Sequence, residues 1–217
     1  MKEPLFLQTQ AYDHLKNLIK NGDLQPDTIY SLNQMAKEMG ISKTPLRDAV
    51  LRLEQERYID ILPSKGFVLH KMTRDDIIET YQLRNAIELY CFKQLSQGLH
   101  TARGQEYFQK LSGKVTSQKE IAATTRSNED FGRKDYEFHR SVVQYVGNES
   151  MLEIYRQFMY RIFWLNVTSF SQEGRMDDTM AEHIRILELV QSHDMNSLEK
   201  LMEHHLTIAQ DINMNLL

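Results

Sequence analysis

The sequence predicts a mainly α-helical chain: an N-terminal winged helix-turn-helix unit followed by an all-α helical bundle. Three observations carry that class. Apolar residues recur at helical spacing through most of the 217 residues. The chain has only nine glycines and four prolines, and all four prolines stand before residue 64, so the later two-thirds has few helix breakers. Between residues 31 and 70, two short helical stretches separated by Gly40 run into a strand–turn–strand pattern.

In chain order, residues 1–9 form an arm of mixed polarity. From residue 10 to 20, Ala11, Leu15, Leu18 and Ile19 make a helical stripe that Asn21-Gly22 ends. Leu24-Gln25-Pro26-Asp27 predicts a turn, and Ile29-Tyr30 suffices only for a stub of strand. A short helix over 32–39 is opened by Ser31 with Gln34 three residues on, a capping box, and closed by Gly40. In residues 41–54, Leu46, Ala49, Val50 and Leu53 face a core, while Lys43, Arg47 and Arg52 fall mostly off that stripe. Ser42 or Thr44 serves as the cap, with Pro45 in the first turn. A second helix offering cations and hydroxyls at its exposed N-terminal end has the geometry of a DNA reader. Residues 58–62 and 67–70, joined by Pro63-Ser64-Lys65-Gly66, predict a hairpin wing. Lys65 and Gly66 at its tip are placed to approach a phosphate or the minor groove.

Thr73 with Asp76 three residues on caps a long helix whose apolar positions include Ile77, Tyr81, Ile87, Tyr90 and Cys91. The domain boundary is set here, between 1–72, which holds the DNA-reading geometry, and 73–217, a helical bundle. Further helices are predicted at 104–121, 128–146, 149–170, 177–193 and 195–214, with the polar segment 116–128 partly loop. The eleven methionines and the aromatic run at 158–164 read as bundle core.

The net charge of −4 argues against a protein that coats nucleic acid indiscriminately. It divides as +1 over residues 1–72 and −5 over 73–217, so charge alone does not reveal a DNA-binding unit. The single cysteine excludes an internal disulfide and suits a reducing cytoplasm. No apolar run is long enough for a membrane span, and the N-terminus lacks a signal-peptide core, so a soluble cytoplasmic protein is expected.

Three stretches carry a resemblance: Gly22-Asp23-Leu24-Gln25-Pro26, the long run from Met35 through Gly40-Ile41-Ser42-Lys43-Thr44-Pro45-Leu46-Arg47-Asp48 to Ala49, and Pro63-Ser64-Lys65-Gly66-Phe67-Val68. Through them residues 10–72 resemble the winged-helix domain of the GntR family of bacterial transcriptional regulators. Residues 74–217 resemble the all-helical FCD effector domain found in one branch of that family. The matching residues there are Arg84-Asn85-Ala86-Ile87-Glu88, Asp135-Tyr136-Glu137-Phe138-His139, Gly147-Asn148, Glu182-His183 and His205-Leu206. Asp27 departs from a usual glycine, Arg57-Tyr58 from a common Gly-Leu, and Asn33 from a basic residue that some relatives place on DNA. The resemblance implies a ligand-responsive regulator, by family habit a repressor. Two-fold symmetry of a homodimer would match a palindromic double-stranded operator.

Asp135 and His139 are four apart and share a helix face; His183 and His205 lie on later helices. One carboxylate with imidazoles from three helices suits a divalent transition metal such as zinc or nickel. Taken singly, each reads as well as a surface or hydrogen-bonded residue. His204 and His205 point about 100° apart on a helix, so at most one is a ligand. The family resemblance implies that Asp135, His139, His183 and His205 form a metal site. Such a site admits two chemistries. A metal-dependent hydrolase would use the open positions to activate water, but Glu137 and Glu182, the neighbouring carboxylates, are expected to point away. A sensor would fill those positions with a small organic acid, with Arg84 and Arg161 as bidentate partners. For Arg84 a salt bridge to Glu88, one turn on, is an equal reading. The remaining alternative is a structural DNA-binding protein whose helical half only dimerises.

Overall fold

The computed structural model describes residues 4–20 and 23–217, with the side chains of residues 4, 5, 20 and 159 excepted. The expected helix stop at Asn21-Gly22 and the first residues of the arm lie outside the described residues. The chain divides into two compact units, Met1–Met72 and Thr73–Leu217.

The first unit contains α1 (Pro4–Lys20), α2 (Leu32–Glu38), α3 (Lys43–Gln55) and the antiparallel strands β1 (Ile59–Leu62) and β2 (Gly66–Leu69). Helix α1 starts at Pro4, six residues ahead of the expected stripe, so residues 4–9 are helical rather than an arm. Proline fits a first helical position, where its fixed φ is helical and no N–H is needed. Ala11, Leu15 and Ile19 are buried, and α1 packs on α3, whose Leu46, Ala49, Val50 and Leu53 are buried in turn. Buried Glu56, just past α3, ties the two helices together. It accepts hydrogen bonds from Tyr12 Oη at 2.5 Å, Lys16 Nζ at 3.3 Å and Arg52 Nε at 3.0 Å.

Caps in this unit differ from expectation. Ser31 and Ser42 occupy the N-cap positions of α2 and α3, yet neither side chain makes a capping bond. The box at Ser31 is not formed because Gln34 turns along α2 to Glu38, at 2.9 Å. At the other end Gly40 takes φ +65°, and Ile41 N–H bonds the carbonyl of Ala36 at 3.0 Å, a Schellman closure. The two departures from the family's glycines also take positive φ, +59° at Asp27 and +57° at Arg57. A side chain there costs about 1–2 kcal/mol relative to glycine. The expected stub at Tyr30 is one bridge to Phe67, and a Cβ on Gly66 would lie 2.0 Å from the Tyr30 carbonyl oxygen. Gly66 is therefore required by the close approach of backbone to backbone.

The second unit is helical throughout its described elements: α4 (Arg74–Gln97), α5 (Ala102–Ala123), α6 (Asn128–Val146), α7 (Glu149–Gln157), α8 (Met159–Ser169), α9 (Arg175–Ser192) and α10 (Met195–Leu216). The Thr73–Asp76 capping box forms, with each side chain bonded to the other's backbone N–H. Tyr90, expected on the buried stripe of α4, is 44 % exposed. Ile87 and Cys91, one turn apart, face inward, and Tyr90 stands about 100° round from Cys91. Helix α5 runs through much of the polar tract because Val115, Gln118 and Ala122 continue its buried stripe; only residues 124–127 are loop. The single helix expected over 149–170 is two, broken at Phe158, where the sequence has neither glycine nor proline. Helix α6 is central, packed against α4, α5 and α8, while α9 lies on α5 and α10. No helix among the described residues is long and apolar enough to cross a membrane.

Candidate functional site

The first unit presents a groove of about 850 Å³ between the start of α2, one face of α3 and the hairpin. Lys43, Thr44, Arg47 and Leu51 line it from α3, at spacings that repeat with the helical turn. Lys65 and Gly66 line it from the wing. All four side chains from α3 are exposed, so the groove offers two cations and a hydroxyl to a polyanion before the wing's lysine is counted. Ser31, read from the sequence only as a cap, and Asn33, read as a departure from a basic DNA contact of some relatives, also line it. Ser42 is exposed at the N-cap of α3. Arg52 stands apart from the groove: its guanidinium donates to Glu56 and lies 4.0 Å over the ring of Tyr12.

In the second unit side chains from three helices, α6, α9 and α10, converge on one point. Ligand atoms of Asp135, His139, His183 and His205 all lie within 4.8 Å of one another, and all four residues are buried. His139 Nε2 is 3.2 Å from His183 Nε2 and 3.3 Å from His205 Nε2. Asp135 Oδ1 is 3.5 Å from His183 Nε2 and 3.8 Å from His139 Nε2. Donors each about 2.1 Å from a common ion, at angles between square and tetrahedral, lie about 3.0–3.4 Å apart. His139 Nε2 meets that spacing with each of the other two imidazoles, and the carboxylate is slightly wide of it.

The outward nitrogens explain why the inward ones converge. His139 Nδ1 faces Glu88 Oε2 at 2.7 Å, His183 Nδ1 faces Gln118 Oε1 at 2.9 Å, and His205 Nδ1 faces Glu182 Oε2 at 2.6 Å. Gln118 and Glu182 draw the one proton of a neutral imidazole to Nδ1 of His183 and His205 and leave their Nε2 lone pairs pointing at the centre. Burial, followed by the neighbouring imidazoles, lowers the pKa of His183 well below its usual value. Burial outweighs the pull of Glu182 and lowers that of His205 as well. Neutral imidazoles with facing lone pairs, beside a buried Asp135 Oδ1 that has no hydrogen-bond partner, form a cradle chemically suited to a cation.

A further shell braces these residues. Arg84 donates to Glu88 at 2.8 Å and to Asn166 Oδ1 at 3.0 Å, and Asn166 Nδ2 donates to Asp135 Oδ2 at 2.5 Å. Burial raises the Glu88 carboxyl, but Arg84 and then His139 overcome it and hold the group well below the carboxylate range. Arg175 donates to Glu182 Oε1 at 2.9 Å and to the His205 carbonyl at 3.2 Å. Against the cost of burial, His205 and Arg175 bring Glu182 down to about 2. Glu182, expected to point away from the ligands, thus supports one of them. Neighbours in sequence diverge by about 100° on a helix, so His183 turns to α6 while Glu182 turns to α10. Glu137 does point away, pairing with Lys114 and Lys134.

Of the two arginines considered for an anion, Arg84 keeps one buried nitrogen, Nη2, without a hydrogen-bond partner. Arg161 is committed elsewhere, with Nη2 3.3 Å from Asp76 and Nη1 3.2 Å from Glu79. Glu88 was visible in the sequence only as a partner for Arg84. Gln118, Asn166 and Arg175 gave no signal, since a lone amide or arginine in a helix has no spacing to betray it.

Comparison with known proteins covers both units. Residues 7–69 match the bacterial regulatory proteins of the gntR family, and residues 79–207 match the FCD domain. The transcriptional repressor GlaR of Escherichia coli is 24 % identical over 205 residues, covering 90 % of each chain. Among solved structures, McbR/YncC of E. coli shares the fold over 97 % of this chain and 98 % of its own, at a TM-score of 0.72 and 15 % identity. The metal-free FCD domain of TM0439 aligns over 67 % of this chain and 96 % of its own, at a TM-score of 0.55 and 19 % identity.

Proposed function

The chain belongs to the GntR family of bacterial transcriptional regulators and carries an FCD domain, and on that premise we propose a metal-dependent, effector-responsive repressor. Family and relatives are regulators rather than enzymes. The first unit would bind a double-stranded operator, as GntR regulators do, with α3 in the major groove and the wing on the backbone. The second would hold one divalent transition metal, zinc or nickel, on Asp135, His139, His183 and His205. A homodimer in the cytoplasm, reading two half-sites, completes the proposal.

The observation that carries it is the convergence of three Nε2 lone pairs and one carboxylate, each imidazole oriented from behind by its own acceptor. Four donors leave positions for a further ligand on most transition ions, and the metal would supply Lewis acidity there. A small organic acid would fill that position, with Arg84 Nη2, a buried donor without a hydrogen-bond partner, to take its second oxygen. Catalysis is the weaker reading because Glu137 is held by two lysines and Glu182 by Arg175 and His205, so neither is free to move a proton.

Thermal-shift screening of metal-loaded protein against mono-, di- and tricarboxylates tests the effector. A ligand at a hundredfold excess over its Kd should add about 2.7 kcal/mol, and the shift should vanish with chelator or in His139→Ala. The same compound should weaken operator binding in wild type. Consumption of the compound instead of a steady shift would move the assignment to an enzyme.

A further inference from the structure

Arg161 is nearly fully buried, yet it contacts neither the four donors nor their imidazole supports. What it does contact is the beginning of the second unit. Asp76 Oδ2 accepts the Thr73 backbone N–H at 3.0 Å and closes the cap of α4, while Asp76 Oδ1 faces Arg161 at 3.3 Å. Glu79, one turn on, takes the other arm of the guanidinium. Thr73 is the first residue of the second unit, and Met72, the last residue of the first, precedes it in the chain.

Five residues further along α8, Asn166 performs the equivalent act at the other end. It links Asp135 to Arg84 of α4 through the two ends of its amide. The two anchors are separated by about 7.5 Å along the helix. Helix α8 is therefore fastened to α4 twice: once at the carboxylate of the candidate metal site and once at the turn where the chain enters the unit.

We propose that α8 is a coupling helix, and that Arg161 is a positioning residue that conveys the state of Asp135 to the first turn of α4. Asp135 has one oxygen held by Asn166 and the other unpartnered toward the imidazoles. A cation taking the second oxygen changes what the first offers Asn166, and α8 carries that change to Asp76. A buried arginine between two carboxylates is a poor way to gain stability alone, since desolvation offsets most of the attraction. It is a good way to fix one register between two helices. The input in this scheme rests on the metal reading above; the connection through α8 does not.

Hydrogen exchange at the amides of residues 76–79 reads the output, with zinc uptake measured separately by elemental analysis. In wild type, zinc should slow exchange at these amides several-fold relative to chelated protein. Arg161→Met should bind zinc as wild type does and lose that response, while Arg161→Lys should retain part of it. Equal zinc-dependent protection in wild type and Arg161→Met, or none in zinc-loaded wild type, overturns the coupling. A second arm needs no metal: in chelated protein, Asn166→Ala should speed exchange at 76–79 several-fold, and unchanged exchange there overturns the proposal. A wild type that takes up no zinc counts against the metal reading and leaves this arm to decide the connection.

Discussion

At the scale of the residue, the imidazoles differ sharply from one another. His205 is buried and braced, whereas His204, its neighbour, is exposed. His205→Ala should lose most bound metal and His204→Ala none, as elemental analysis will show; equal content in both would remove His205 from the site. Glu182→Gln keeps the shape but weakens the acceptor behind His205, and outer-shell changes of this kind typically cost about 10–100-fold in metal affinity. Protons give a second test. The pKa values of His183 and His205 are lowered on folding by burial, so the folded chain binds fewer protons than the unfolded one. As pH falls below about 6.5 the unfolded imidazoles charge first, and the folded state loses stability until its own depressed pKa values are reached. Melting temperature of chelated protein should therefore fall from pH 7 toward pH 5. A flat profile would mean these imidazoles are not held neutral.

At the scale of the element, the groove of the first unit separates two kinds of cation. Arg47 lies on the exposed face of α3 and Lys65 on the hairpin tip, both lining the groove; the proposed roles are a base contact for the first and a phosphate contact for the second. Arg47→Ala should cost about 1–3 kcal/mol on operator DNA and relax preference at one position. Lys65→Ala should weaken operator and scrambled DNA alike and flatten the salt dependence. Titration of both at several salt concentrations decides between these roles, and unchanged operator affinity for Arg47→Ala would take it off the reading surface. Elements were legible where a stripe and a stop coincide, as in α6, whose buried face and closing Gly147 give both ends. They were less legible where packing outweighs local signal. The Phe158 break has no breaker, and the cap at Ser31 is lost to a side-chain pair within α2 that spacing alone cannot rank above it.

At the scale of the whole molecule, the four donors were readable as a set through the family resemblance, since singly each reads as well as a surface residue in a chain with 30 acidic residues and eight histidines. Their supports were not, since Gln118 and Asn166 resemble any polar residue until the fold brings them to the site. The candidate ligands come from α6, α9 and α10, and their supports from α4, α5, α8 and α9. Helix α7 joins them through Tyr155, whose hydroxyl donates to Glu88 at 2.8 Å, so every described helix of the second unit has a residue in this arrangement. A metal at a hundredfold excess over its Kd should therefore stabilise the protein by about 2.7 kcal/mol, a rise of about 5–11 °C in melting temperature. Calorimetry with and without chelator measures it, and an unchanged melting temperature in protein that demonstrably binds metal would sink the claim.

The three groups behind the imidazoles are two carboxylates and one amide. Gln118 differs from glutamate by one atom, and a single nucleotide change interconverts their codons. Such an exchange would add a negative charge behind His183 while leaving every ligand in place. Regulators of this design thus have a way to drift in metal preference through the residues that face away from the ion, and lineages with identical ligands need not respond to the same element.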